Sequence, residues 1–121
     1  MNPASGDVEH VMAGFAVADL GRALDWYERF VGRPADVVPN ETEAMWQLSG
    51  SGWLYVVLDA ERAGLGLLTL MVADLDAALA GCSARDIKAG RLETAPGRFR
   101  KVVVVDPDGN RIQLAEDLSG G

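Results

Sequence analysis

The chain holds a single cysteine, Cys82, so neither an internal disulfide nor a cysteine metal cluster can form from it. It holds a single histidine, His10, and therefore no histidine-rich ligand set. No apolar run approaches the roughly 20 residues that a membrane span needs, which argues against a membrane partner. The first residues, Met-Asn-Pro-Ala-Ser-Gly-Asp, have neither the basic region nor the apolar stretch of a secretion signal, so a frayed lead-in and a cytoplasmic location are expected. Positive charge is scarce. Eleven Lys and Arg face eighteen Asp and Glu, a formal net charge of −7, and the basic residues are scattered apart from Arg98-Phe99-Arg100-Lys101. Nucleic acid binding needs a basic footprint, and this sequence has none.

What is present is a repeat. Val-Ala-Asp-Leu stands at residues 17–20 and again at 72–75, an offset of 55, and Ala23-Leu24 recurs at that offset as Ala78-Leu79. In both copies an apolar run leads to the Asp. Leu20, Ala23, Leu24 and Tyr27 follow the first Asp, and Leu75, Ala78, Leu79 and Cys82 the second, the spacing of one helix stripe. Asp accepts well from the free amides of a first helical turn. Each copy thus predicts a strand, an Asp cap and an amphipathic helix. Cys82 falls on the apolar stripe and is expected to be a buried structural thiol.

Taken in order, the pattern predicts strands over 9–18, 34–39, 43–48 and 53–58, with a helix over 20–31 that Gly32 ends. A polar linker at 59–64 separates these from strands over 65–73, 87–92, 99–105 and 110–115 and a helix over 75–84. The continuous apolarity of the first strand suggests that both its faces are covered. Ser-Gly-Ser-Gly at 49–52 and Asp-Pro-Asp-Gly at 106–109 are turns, the second with φ preset by Pro107 and a left-handed residue supplied by Gly109. Aligning these turns gives an offset of 57. The 121 residues then form one α+β domain of two β-α-β-β-β modules in tandem, residues 8–59 and 65–117.

The duplicated module, the Asp-Leu-x-x-Ala-Leu-x-Trp-Tyr helix start and the closing Asp-Pro-Asp-Gly-Asn-Arg-Ile-Gln-Leu together resemble the vicinal oxygen chelate superfamily of glyoxalase I, bleomycin-resistance proteins and extradiol dioxygenases. The likeness covers about residues 8–117. It implies sheets curled into half-open barrels that enclose a ligand cleft, within one chain or across a homodimer. In metal-using relatives it places ligands on the first and fourth strand of each module. Carried over by counting seven residues back from each capping Asp and four forward from each turn glycine, those positions are Met12, Val56, Leu67 and Gln113. A thioether, two hydrocarbons and one amide cannot hold a hard or borderline divalent ion. No metal and no cofactor are therefore expected.

Strand alternation gives the expected cleft lining. His10, Gly14 and Ala16 join Met12; Thr69 and Met71 join Leu67; Leu54 and Leu58 join Val56; Arg111 and Ala115 join Gln113. Met45, Gln47, Val102, Val104 and Arg100 are added from the neighbouring strands. His10 is either a displaced ligand or base, or a partly exposed residue at a strand end, the reading its position favours. Glu116, of opposite parity, should face away. Trp46 and Tyr55 either pack under the first helix or form a stacking wall. The list is mostly apolar with a few polar groups, the make-up of a small-molecule pocket and equally of a barrel interior. The leading expectation is a metal-free binding protein for a cationic or aromatic small molecule, of the antibiotic-sequestering kind. A lyase, isomerase or dioxygenase-related enzyme of the same superfamily is the alternative, and a ligand-free regulatory partner a third.

Overall fold

The computed structural model describes residues 8–120, so the expected lead-in at 1–7 lies outside the described residues. The elements are β1 (Val11–Val17), α1 (Leu20–Val31), β2 (Val37–Asn40), β3 (Glu43–Gln47), β4 (Gly52–Leu58), β5 (Leu67–Met71), α2 (Leu75–Ala84), β6 (Glu93–Ala95), β7 (Phe99–Val105) and β8 (Arg111–Asp117). They form two four-stranded sheets, ordered β1-β4-β3-β2 and β5-β8-β7-β6. The first strand of each module lies parallel to the fourth, and the other pairs are antiparallel. This is two tandem β-α-β-β-β modules, as the repeat implies.

Both helices start as the sequence dictates. Asp19 accepts from the Arg22 amide and Asp74 from the Ala77 amide, each at 3.0 Å. Gly32 closes α1 with φ of 94°, a left-handed conformation that glycine adopts without strain. The helices differ in what they bury. α1 sinks Trp26, Tyr27 and Phe30 into the core, large rings worth roughly 1.5–3 kcal/mol each on burial. α2 buries only Leu75 and Cys82. Desolvation raises the Cys82 thiol above its ordinary range, which makes it a poor nucleophile.

Two elements and the coverage of one strand differ from expectation in ways that bear on the site. The stretch 87–92 is not a strand; Ile87 is buried in the core, a lone Gly90 amide reaches the Val103 carbonyl, and pairing with β7 begins at Glu93. Asn110 belongs to the turn rather than to β8. The first strand is covered on one face only. Phe15 and Val17 are buried under the helix, while Met12 on the other face is 45% exposed.

Each helix end is completed by the other module. The Arg85 guanidinium, lying between Gly32 and Gly81, donates to the Arg29 and Phe30 carbonyls at the end of α1. Arg29 in return donates to the Arg85 and Asp86 carbonyls at the end of α2. These satisfy carbonyls that a helix terminus leaves free.

Candidate ligand-binding faces

Each sheet has one face under the helices and one open. Register decides which residues stand on the open face, because paired residues point the same way. In the first sheet Met12 lies beside Trp53 and Gln47, Gly14 beside Tyr55 and Met45, and Ala16 beside Val57 and Glu43. In the second, Leu67 lies beside Arg111 and Val105, Thr69 beside Gln113 and Val103, and Met71 beside Ala115 and Lys101.

The register brings together most of the expected lining. His10 precedes β1, is exposed, and sets its ring edge-on to Trp53 with centroids 6.4 Å apart. Met12 and Gln47 share a row with Trp53, and Leu67, Thr69, Arg111 and Gln113 occupy the open face of the second sheet. Leu54 and Val56 do not belong to this set. Both are fully buried in the core on the α1 side, opposite Ala13 and Phe15. Leu58 shares their parity and pairs with Val17. Val102 and Val104 are likewise buried under the helices, and Arg100 pairs with Asp76 and Glu116 there. Glu116 faces away from the open side, as its parity implies. Its carboxylate accepts from the Leu75 amide at 2.7 Å and from Arg100 at 3.0 Å, and these donors hold it below the usual carboxylate range.

The β4 error has one cause. Gly14 pairs with Tyr55 where Thr69 pairs with Gln113, so the fourth strands are offset by 58, not 57. A slip of one residue exchanges the two faces of a strand. Gly109 has the left-handed φ of 104° and Gly52 does not, so the two glycines are not equivalent despite similar surroundings in sequence. Tyr55, not Val56, is the counterpart of Gln113. Its ring crosses Gly14 so closely that a Cβ there would overlap it. Trp46 does pack beneath α1, fully buried with its ring 6.1 Å from that of Tyr27, and its Nε1 donates to the Arg33 carbonyl.

A divalent ion would need oxygen or nitrogen donors at these four positions. Met12, Tyr55, Leu67 and Gln113 offer a thioether, a phenol and an amide, with Met12 and Leu67 both exposed. They do not fit such an ion. Among the described residues no three His, Cys, Asp or Glu side chains come together elsewhere.

The model of the Glyoxalase/Bleomycin resistance protein/Dioxygenase superfamily matches residues 8–114. The chain belongs to this superfamily. A glyoxalase/bleomycin resistance protein from Catenulispora acidiphila is 45% identical, with 88% of this chain and 96% of that one covered and a TM-score of 0.85. An antibiotic-binding protein from a Streptomyces species is 23% identical over 94% and 98% of the two chains, with a TM-score of 0.72. The bleomycin resistance determinant of transposon Tn5 is 18% identical over 89% and 97%, with a TM-score of 0.74. The last two are likenesses of fold. No curated protein matches. No helix among the described residues is long and apolar enough to cross a membrane.

Proposed function

We propose that this superfamily member is a metal-free small-molecule-binding protein that holds a planar aromatic ligand on the open face of its first sheet. The observation that carries this reading is the row pair Met12-Trp53-Gln47 and Gly14-Tyr55-Met45, two rings and two thioethers on one uncovered surface. Aromatic rings and methionine sulfur pack favourably on a flat π-system and adapt to its outline. Gln47 is the hydrogen-bonding group at the end of its row, and Arg111, Gln113 and Thr69 supply such groups on the second sheet. The chain's negative charge does not favour a cationic ligand here, because Lys101 and Arg111 share the open faces with Glu43 and Glu93.

The working form is a homodimer. Val11, Met12, Leu65, Leu67, Met71 and Val105 are all large, apolar and exposed, more uncovered surface than a small monomer ordinarily carries. Light scattering on the purified chain should give twice the monomer mass, and a monomer at every concentration would end this part of the reading.

Isothermal titration with planar aromatic antibiotics should give saturable heat, and Trp53→Ala or Tyr55→Ala should weaken binding about tenfold. Heat from cationic glycopeptides alone would reverse the ligand assignment. Stoichiometric metal in protein purified without a histidine tag would instead favour an enzyme of the superfamily.

A further inference from the structure

A cavity of about 410 Å³ lies between the modules, with neither Trp53 nor Tyr55 in its lining. Phe30, Leu70, Val72, Ala78, Cys82 and Arg85 line it, with Leu48 and Ser49 of the first module's turn at its edge. Its position acquires meaning from the other module. There the turn of residues 106–110 is seated against β1 and α1. Ala18 donates its amide to Asp108, the Ala16 carbonyl accepts from the Asn110 side chain, and the Tyr27 hydroxyl donates to Asp106. Under the repeat offset of 55, Ala16, Ala18 and Tyr27 become Met71, Ala73 and Cys82. The first module's turn makes no corresponding bonds among the described residues. The thiol of Cys82 is far shorter than a tyrosine ring and leaves the ring's volume empty.

Donors and acceptors remain at the vacant place. Gly66 and Val72 bond across to β8, so in a parallel ladder the backbone groups of Thr69 and Met71 point off the sheet edge, where both residues border the cavity. Arg33, at the rim, is neutralised by Asp36 at 2.9 Å. Arg85 has no carboxylate partner among the described residues; its Nε and Nη2 serve carbonyls and its Nη1 makes no hydrogen bond. A guanidinium with a free nitrogen beside an apolar hollow recognises a carboxylate on an apolar body.

We infer that this cavity is a second ligand site, specific for N-acyl amino acids, whose acyl or side-chain body fills the space beside Ala78 and Cys82. The amide N–H meets the Met71 carbonyl, as Asn110 meets that of Ala16. The carboxylate meets Arg85. The site is separate from the aromatic rows of the proposed function and does not rest on them.

The test is a ¹⁵N-resolved NMR titration of the intact chain with N-acetylphenylalanine. Saturable shifts at residues 69–73, in α2 and at the Arg85 Nε, with an affinity of about 1 mM, are expected. The methyl ester of the same compound should bind at least about tenfold more weakly, since it loses the charged partner of Arg85. Cys82→Tyr, which returns the ring found at Tyr27, should abolish binding. Because that variant can fail to fold, the comparison of acid and ester on the unaltered chain decides independently. Equal binding of acid and ester, shifts confined to Trp53, Tyr55 and Gln113, or no saturation up to about 10 mM would each overturn the inference.

Discussion

Residues 48–52 and 106–110 connect the third and fourth strands of their modules, with five residues between the same paired positions. In the second module this turn is a polar hub. Asp106 is buried, its Oδ1 accepts three consecutive amides at 2.9 Å, and its Oδ2 takes the Tyr27 hydroxyl at 2.7 Å and the Asn110 side chain at 2.8 Å. In the first module Leu48 takes the place of Asp106, and the turn bonds mainly to itself and to Val11. Duplication therefore supplied two sockets and the sequence filled one. A turn becomes structural when its polar atoms are spent on other elements, and the spare socket is then free to take something else.

The contrast can be broken by mutation. Asp106→Ala takes the acceptor from the buried Tyr27 hydroxyl and from the Asp108 and Asn110 amides and should cost about 3–5 kcal/mol by denaturant unfolding, whereas Ser49→Ala in the other turn should stay within about 0.5 kcal/mol. Equal costs would mean that the two turns do the same work. Tyr27→Phe removes one donor to a buried carboxylate and should cost about 2 kcal/mol. Burial and the same carboxylate hold the Tyr27 phenol far above its ordinary range, so it is a protonated donor at neutral pH.

A further contrast concerns the helix starts. α2 has Glu116 beside its first amide as well as Asp74, whereas the equivalent of Glu116 in the first module is Leu58. A carboxylate held low contributes stability that is complete above its unfolded value of about 4.3 and is lost as pH falls through the lower folded value. The melting temperature should therefore fall in that acid window, and Glu116→Gln should flatten the fall. An unchanged slope would show that other depressed carboxylates, Asp36, Asp59 and Asp117, carry it. A small stability effect is expected of Gly14→Ala. Its new methyl must push the half-exposed Tyr55 ring aside, costing under about 1 kcal/mol but weakening aromatic ligands about tenfold. Thr69→Ala, at the equivalent place, opens no clash and should leave stability within about 0.5 kcal/mol, with a smaller loss of binding than Gly14→Ala.

Much of this was legible beforehand. The repeated Asp announced both caps, and apolar spacing placed both helices, because these are local effects within one or two turns of chain. Alternation counted from Asp74 and Gly109 puts Leu67, Thr69, Arg111 and Gln113 on one face of the second sheet, the face they share in the structure, since Gly109 adopts the backbone its turn requires. The same counting from Gly52 puts Leu54 and Val56 on the open face in place of Trp53 and Tyr55, because Gly52 imitates that glycine in sequence but not in φ. Nothing local separates the two. Nor could spacing disclose that Asp106 would reach Tyr27, 79 positions away, or that Arg85 would finish a helix in the other module.

That last exchange bears on how the protein opens. If α2 alone loosened, Arg85 would leave the end of α1 and the Arg29 and Phe30 carbonyls would lose their donors; if α1 loosened, the end of α2 would lose those of Arg29. Neither helix can melt without withdrawing hydrogen bonds from its neighbour. Amide protons in the last turns of both helices should consequently exchange with solvent at one shared rate, as members of a single cooperative unit that spans the duplication.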